Sequence, residues 1–403
     1  MNQVDTEWMR QQCQKSGVAV MDTLDDSTIA VVNSCAVTSR AETDVARWVK
    51  KAVAKNKSVI VTGCLTKECA VRLKESFGVS SFLFGGARGK IAYAVRQVAS
   101  GKSVELADDT DMKAPGISFM SGKTRGFLKI EEGCTHRCSY CIIPALRGRK
   151  IVSRPIDMVV DDVKTLLYNG YKEIVISGTD IGAYGKDLGY SLYELLRRLI
   201  LIEGDFRIRI SSIGVIDLND NLISLMENEK ICRHLHISLQ SGSDKILSLM
   251  RRPYNTAFYG KKIEAVVNRV PDIAIGTDVI VGFPGEDEDE FKKTAGFVSD
   301  MPFVYLHPFS YSPRIGAESY CWQYEKSAQK RRIKVLKAIV KKKNLIYRRQ
   351  FLGRQVKVLA ENEKQGRTSY YFPVSLPHGL KRGFFYDVLI HNVDYDNTQA
   401  DIV

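Results

Sequence analysis

Long apolar runs are missing from this chain of 403 residues. The longest, such as Ile29-Ala-Val-Val32 and Val59-Ile-Val61, fall far short of the roughly 20 residues that span a bilayer, which excludes a helical membrane protein. The opening residues, Met1 to Arg10, are polar and acidic and lack the basic start and apolar stretch of a secretory leader. The expected location is the cytoplasm, with no membrane partner. Acidic residues are in deficit: 46 Asp and Glu stand against 59 Lys and Arg, a formal charge of +13. That balance suits a polyanionic partner, nucleic acid first, and a merely soluble basic surface is the alternative. A disulfide framework is also missing, because the nine cysteines are unevenly spaced and no export signal accompanies them. Repeats and low-complexity tracts are absent.

What is present is alternation. Between residues 25 and 100 short apolar runs exchange with helical patterns: a strand at Ile29 to Asn33, a helix at Arg40 to Ala54, a strand at Ser58 to Gly63 and a helix at Thr66 to Phe77. Such order predicts a parallel α/β sheet. Cys35 and Cys64 each follow a strand, at the end where open α/β sheets bind ligands. From residue 101 the periodicity fades, and residues 109–122 read as a linker. The alternation resumes over 123–344, with strands expected at Gly126–Ile130, Glu173–Ser177, Arg207–Ile213, His234–Ser238, Ile273–Val281 and Phe303–Phe309. About six βα units in a row suggest a closed or partial barrel. Residues 326–349 hold eleven Lys or Arg and no acid, and read as a basic amphipathic helix. Over 345–403 the texture turns to short strands punctuated by glycine, as in a small five-stranded barrel. The expected fold class is therefore α/β in three domains: 1–108, 123–344 and 345–403.

The sharpest signal is Gly133-Cys134-Thr-His-Arg-Cys138-Ser-Tyr-Cys141. Cys-x3-Cys-x2-Cys places three thiolates on one loop after a strand, a donor set suited to an iron–sulfur cluster. Three ligands leave one iron of a [4Fe-4S] cluster open to chelate a small molecule. Zinc, with His136 as fourth ligand, is the alternative. A pure electron-transfer cluster would need a fourth cysteine, and none stands nearby.

With Ile142-Ile-Pro144 after it, this triad resembles that of the radical S-adenosylmethionine (SAM) methylthiotransferases. Nearly the whole chain shares the resemblance, through Asn33-Ser-Cys35-Ala-Val-Thr38, Val61-Thr-Gly-Cys64, Ser177-Gly-Thr-Asp-Ile-Gly-Ala-Tyr-Gly185, Leu239-Gln-Ser-Gly-Ser-Asp244 and Thr277-Asp-Val-Ile-Val-Gly-Phe-Pro-Gly285. It implies an N-terminal methylthiotransferase domain, a central partial (β/α)6 radical SAM barrel and a C-terminal TRAM-like RNA-binding barrel. It further implies SAM, a [4Fe-4S] cluster on Cys134, Cys138 and Cys141, and a second [4Fe-4S] cluster on Cys35 and Cys64. That cluster's third ligand would fall upstream of Met1, because the family's Asn-Gln segment is here Asn2-Gln3. The partners it implies are tRNA and an electron donor such as a flavodoxin or ferredoxin, for a chain expected to act as a monomer.

Within the family, Asn2 to Glu7 and Thr179 to Gly185 point to the branch that adds a methylthio group to C2 of threonylcarbamoyladenosine in tRNA. Isopentenyladenosine in tRNA and a ribosomal-protein aspartate are the alternative substrates. A further alternative is an RNA-binding homologue of impaired catalysis. It is motivated by the absent upstream cysteine and by Gly214, which stands where the family commonly has Glu. Asp217 reads as a surface residue rather than a replacement for that carboxylate.

Several residues are expected near SAM or substrate. Gly178 and Gly182 follow a barrel strand and permit close backbone approach; Gln240 and Ser241 offer neutral hydrogen-bonding groups; Gly282 ends another strand. Arg147, Arg149 and Arg154 read either as phosphate contacts or as surface charge. Tyr370, Tyr371, Phe372, Phe384 and Phe385 are divided between RNA stacking and core packing. Cys13, Cys69, Cys232 and Cys321 read as small buried hydrophobes.

Overall fold

The computed structural model of the protein describes residues 2–36, 38–108, 116–377 and 379–403. Four parallel strands, Ile29–Ser34, Ser58–Gly63, Ser81–Gly85 and Glu105–Asp108, pair in that order in the N-terminal sheet. Helices Ser39–Ala54 and Lys67–Phe77 cross between them. Each begins at a threonine, Thr38 or Thr66, whose hydroxyl accepts the N–H of the residue three further on at 3.2 Å. The second helix stops at Gly78, a left-handed cap with φ of 68°. The fourth strand corrects the reading that order fades from residue 101. Its four residues, one of them hydrophobic enough to pack, are too few to show a period. Of the expected linker, residues 109–115 lie outside the described residues. Beyond them Ile117 and Met120 are buried, and the Met120 N–H donates to the Tyr171 hydroxyl at 2.8 Å.

The central domain is an arc of parallel strands. Gly126–Lys129, Glu173–Ser177 and Arg207–Ile210 form one sheet, and Ser212–Ile213, His234–Ile237, Ala274–Val281 and Phe303–Ser310 the next. A bridge between Ile208 and Ile231 joins them. Ile174, Ile176, Ile208, Ile210, Leu235 and Ile237 face outward into the main core, under helices such as Ile156–Tyr168, Leu192–Ile200 and Thr256–Arg269. The alternate residues, among them Glu173, Arg207, Arg209, His234 and His236, are buried and polar.

The last five strands close into a barrel in the order Gln355–Ala360, Gln365–Thr368, Pro373–Ser375, Thr398–Ile402, Phe385–Val393. It docks where the central strands begin: Arg207 donates to the Arg367 carbonyl at 2.7 Å and Arg209 to the Thr368 carbonyl at 3.1 Å. The basic helix, Gln329–Arg349, packs on strand Phe303–Ser310. Two of its arginines are struts rather than solvated charges. Arg332 is buried against Glu286, and Arg348 donates to the carbonyls of Asp394 and Asn397, both at 2.8 Å.

Candidate active site

The cysteine loop sits at the C-terminal ends of the central strands. Gly133 starts it at a φ of 98°, and any Cβ there would fall 1.8 Å from the Lys150 carbonyl oxygen, so only glycine makes this turn. The Cys134 N–H donates to the Gly148 carbonyl at 3.1 Å and the Cys141 N–H to that of Cys138 at 3.1 Å. Ser139 pins the middle, its N–H on Met250 and its hydroxyl on Leu249. All three thiols are partly exposed. Arg252 Nη1 donates to Cys138 Sγ at 3.1 Å. Burial pushes the Cys134 thiol up to about 12 and the Cys141 thiol up to about 11, and the cysteines raise one another.

Among the described residues no three His, Cys, Asp or Glu side chains form a closed metal cage. His136 turns its Nε2 to Asp180, 3.2 Å away, and is engaged by that carboxylate. What the pinned loop offers is three thiols, with no fourth ligand beside them among the described residues. That donor set fits a four-iron cluster with one open iron better than a four-coordinate zinc.

A cavity of about 240 Å³ opens beside the loop, walled by Tyr140, Cys141, Gln240, Asp278, Phe309 and Arg314, with Thr38 of the N-terminal domain at its rim. Gln240 is held at a φ of 72°, rare for a residue with a side chain, because its backbone bonds both ways to the next strand: its N–H to Asp278 at 2.8 Å, its carbonyl from Ile280 at 2.9 Å. Ser241 is placed elsewhere, fully buried with its hydroxyl on Thr294 at 3.2 Å. Gly178, Gly182 and Gly282 do not line this cavity. A Cβ at Gly178 would lie 1.9 Å from Glu131 Oε1, at Gly182 2.2 Å from the Asp217 carboxylate, and at Gly282 2.5 Å from the Gln329 side chain. These glycines make room for side chains.

Two of those neighbours are carboxylates. Asp217 is not a surface residue. Only 10% of its side chain is exposed, it packs against Gly182 and Gly214, and burial, with Asp180 nearby, raises its carboxyl. It thus places a carboxylate beside Gly214, the position where the family commonly carries Glu. Glu131 accepts the Asp180 N–H at 2.7 Å, while its Oε2 has no partner among the described residues, and burial pushes its carboxyl up to about 8.

An unfolded glutamate loses its proton near pH 4.5, but folded Glu131 keeps it to about pH 8. The folded chain therefore binds the extra proton in that window, so stability falls as pH rises through it. Glu131→Gln is expected to remove this loss and to stabilise the protein at pH 9 by on the order of 2 kcal/mol. Urea midpoints at pH 5 and pH 9 check it; an unchanged pH dependence would refute the shift.

Cys35 and Cys64 lie at neighbouring strand ends, since Ser34 pairs with Gly63. The Cys64 N–H donates to the Ser34 carbonyl at 3.2 Å. Gly63, at a φ of 93°, leaves room for Asn33 Oδ1, 2.2 Å from where its Cβ would stand. Asn2 ties its own helix here, donating to the Ser34 carbonyl at 2.9 Å. Arg147 is neither a phosphate contact nor surface charge. It is buried and donates to Cys64 Sγ at 3.0 Å, Glu132 at 2.9 Å, Asn2 Oδ1 at 2.8 Å and Asp5 at 3.1 Å. Arg88 and Lys129 complete the cluster by pairing with the same two carboxylates. Three cations against two carboxylates leave a positive surplus beside Cys64, but burial outweighs Arg147 and holds the thiol above its usual range. Burial opposes charge on both acids, but the cations outweigh it, holding Asp5 well below the usual carboxylate range and Glu132 at about 2. Sequence reasoning missed this cluster; its one local signal is a helix that carries Asp5 and Glu7 on its buried side.

Arg154 is likewise buried, paired with Asp162 at 2.6 Å, and only Arg149 of the three is exposed. In the C-terminal barrel Phe372 is core, and Phe385 is covered by Lys172, Arg207 and Lys357. Phe384 is 43% exposed with Lys381 over its ring, as an RNA-stacking residue would be. Cys13, Cys69 and Cys232 are buried, but Cys321 is exposed, in a short 3-10 turn that no period marks.

Comparison with known proteins agrees with this geometry. Residues 128–298 match the Radical SAM superfamily, and residues 1–85 the Uncharacterized protein family UPF0004. The fold also matches that of a radical S-adenosylmethionine methyltransferase, TsrM, from Kitasatospora setae, with a TM-score of 0.53 at 12% identity over 75% of this chain and 65% of that one. Fold and cysteine loop together define a radical SAM protein. Over its full length the chain is 34% identical to the threonylcarbamoyladenosine tRNA methylthiotransferase MtaB of Thermotoga maritima, covering 95% of it. It is 33% identical to MtaB of Aquifex aeolicus over 93% of both chains. It is also 33% identical to the tRNA-2-methylthio-N(6)-dimethylallyladenosine synthase of Fervidobacterium nodosum, over 93% of this chain and 87% of that one. The chain belongs to the radical SAM methylthiotransferase family. Among the described residues no helix is long and apolar enough to cross a membrane.

Proposed function

We propose that this enzyme adds a methylthio group to C2 of threonylcarbamoyladenosine in tRNA. The observation that carries the reading is the nearness of two thiol sites: Cys64, from the N-terminal sheet, is close enough to Cys141, on the barrel loop, to interact with it electrostatically. Cys134, Cys138 and Cys141 would hold the [4Fe-4S] cluster that binds SAM, and Cys35 and Cys64 the second cluster, where sulfur is carried. When bound, the first cluster and SAM supply the one-electron chemistry that activates an unreactive adenine C–H bond. The chain's own groups do the rest. The pinned loop fixes the thiolates, Arg252 orients Cys138, and Tyr140, Phe309 and Thr38 of the N-terminal domain wall the cavity.

The charge of +13 and the Lys381–Phe384 pair support tRNA as partner, with a flavodoxin or ferredoxin as electron donor. The MtaB relatives favour threonylcarbamoyladenosine, and the dimethylallyladenosine relative gives the second candidate. Mass spectrometry of tRNA nucleosides from cells lacking the gene tests it. The expected result is loss of 2-methylthio-threonylcarbamoyladenosine and its return with the gene. Loss of the isopentenyl derivative instead would move the substrate, and an unchanged profile would overturn a tRNA role.

A further inference from the structure

Barrel interiors are ordinarily filled by apolar layers; this one carries a chain of polar rings. Strands Ala274–Val281 and Phe303–Ser310 pair Gly276 with Tyr305 and Asp278 with His307. A Cβ at Gly276 would lie 1.8 Å from Tyr305 Cζ, so the glycine exists to seat that ring. Seated there, the Tyr305 hydroxyl bonds His234 Nε2 and stands 3.1 Å from His236 Nδ1. The other nitrogen of His236, Nε2, reaches Asp278 Oδ2 at 2.8 Å, and the Ser238 hydroxyl donates to the same oxygen at 3.0 Å. Both bonds land on Oδ2. Oδ1 accepts none among the described residues, and Asp278 walls the cavity beside Cys141.

The far end of the chain is closed from another domain. Tyr371 of the C-terminal barrel stacks on His234, ring centroids 4.4 Å apart, and is held at a φ of 73°. Arg209 and Arg367 lie over its ring at 5.1 and 5.0 Å. Burial and the neighbouring Arg209 keep His234 neutral, so it can accept from Tyr305. Burial opposes charge on Asp278, but the bond from His236 outweighs it and holds the carboxyl below its usual range. Four linked side chains thus run from the C-terminal barrel to one charged oxygen in the cavity wall. The Asp278 side chain is 21% exposed, so its second oxygen is open to a ligand in the cavity.

We propose that Asp278 accepts a hydrogen bond from an O–H or N–H of the adenosine moiety bound in the cavity, and that His236, Tyr305 and His234, locked by Tyr371, are positioning residues for its carboxylate. This rests on the reading that the cavity serves adenosine chemistry. Both SAM and the target nucleoside contain that moiety, and the test separates them.

Reconstituted holoenzyme is titrated with SAM alone and, separately, with an anticodon stem-loop RNA carrying threonylcarbamoyladenosine. Asp278→Asn is expected to weaken one of the two about tenfold, the worth of one charge-assisted hydrogen bond, with the other affinity and the thermal midpoint unchanged. Whichever ligand is weakened is the one Asp278 holds. His236→Ala is expected to lose as much, whereas His236→Gln, which keeps an N–H donor toward Asp278, retains most of the affinity. Tyr305→Phe is expected to raise KM for the same ligand several-fold and to leave kcat within about twofold. Wild-type affinity for both ligands in Asp278→Asn overturns the proposal. Wild-type affinity in His236→Ala and an unchanged KM in Tyr305→Phe overturn the positioning role. Wild-type protein that binds neither ligand overturns instead the reading of the cavity itself.

Discussion

Cys138→Ala is expected to abolish methylthiolation, by at least about 10³-fold, while the protein stays folded. Loss of a ligand's supporting contact costs a metal site about 10–100-fold, and loss of one of three ligands costs more. The thiol is partly exposed, and among the described residues its hydrogen-bond partner is Arg252 Nη1 at 3.1 Å. The loop is held by the backbone and hydroxyl of Ser139, which the substitution leaves in place. The thermal midpoint should therefore move little, while iron and sulfide per chain fall and the low-temperature electron paramagnetic signal of the reduced protein is lost. Cys321→Ser, at an exposed cysteine outside the site, should keep both iron and product. Product at the wild-type rate from Cys138→Ala would remove Cys138 from the ligand set.

The second large effect is on stability. Arg147→Met is expected to destabilise the fold by about 3–5 kcal/mol, the usual result of removing one partner from a buried ionic cluster. Methionine matches the bulk but donates nothing to Cys64, Glu132, Asp5 or Asn2, which Arg147 serves at 2.8 to 3.1 Å. Arg147→Lys should recover only part of the loss, since a single ammonium cannot reach acceptors on four residues as a planar fork does. The same cluster has an acid signature. Asp5 and Glu132 are held below the usual carboxylate range, so their contribution is complete above about pH 4.5 and is lost as pH falls toward 2. Urea midpoints for the three proteins at pH 7 and pH 3 measure both effects. A midpoint change worth less than about 0.5 kcal/mol for Arg147→Met would show that the cluster contributes nothing net to stability, as some buried ion pairs do.

What could be read in the sequence was local. Cys134, Cys138 and Cys141 fall within one short loop, and the strands Ser58–Gly63 and Glu173–Ser177 carry the apolar runs Val59-Ile-Val61 and Ile174-Val-Ile176, so spacing and apolar content sufficed. The role of Arg147 was illegible because its partner Asp5 lies 142 residues away and nothing beside either residue marks burial. Asp217 was misplaced for a similar reason. What shields it is the pair of glycines, Gly182 and Gly214, that leave space for its carboxylate, and glycine in a sequence announces a turn more readily than a vacancy. The polar interior of the barrel escaped because alternation of Arg and Ile, as in Arg207-Ile-Arg-Ile210, is also the pattern of a strand with one wet face. Only the docked C-terminal barrel turns that face inward.

That docking has a consequence for descent. Arg207 and Arg209 complete their hydrogen bonding on carbonyl oxygens of residues 367–369, and Arg348 on carbonyls of residues 394–397. Carbonyls are present whatever the side chain, so these arginine bonds read the path of the backbone, whereas Tyr370, Tyr371 and Phe385 add contacts that depend on the side chain. Over long divergence, substitutions at residues 367–369 and 394–397 leave those arginine bonds in place. An insertion or deletion in either stretch would move the carbonyls that these arginines need.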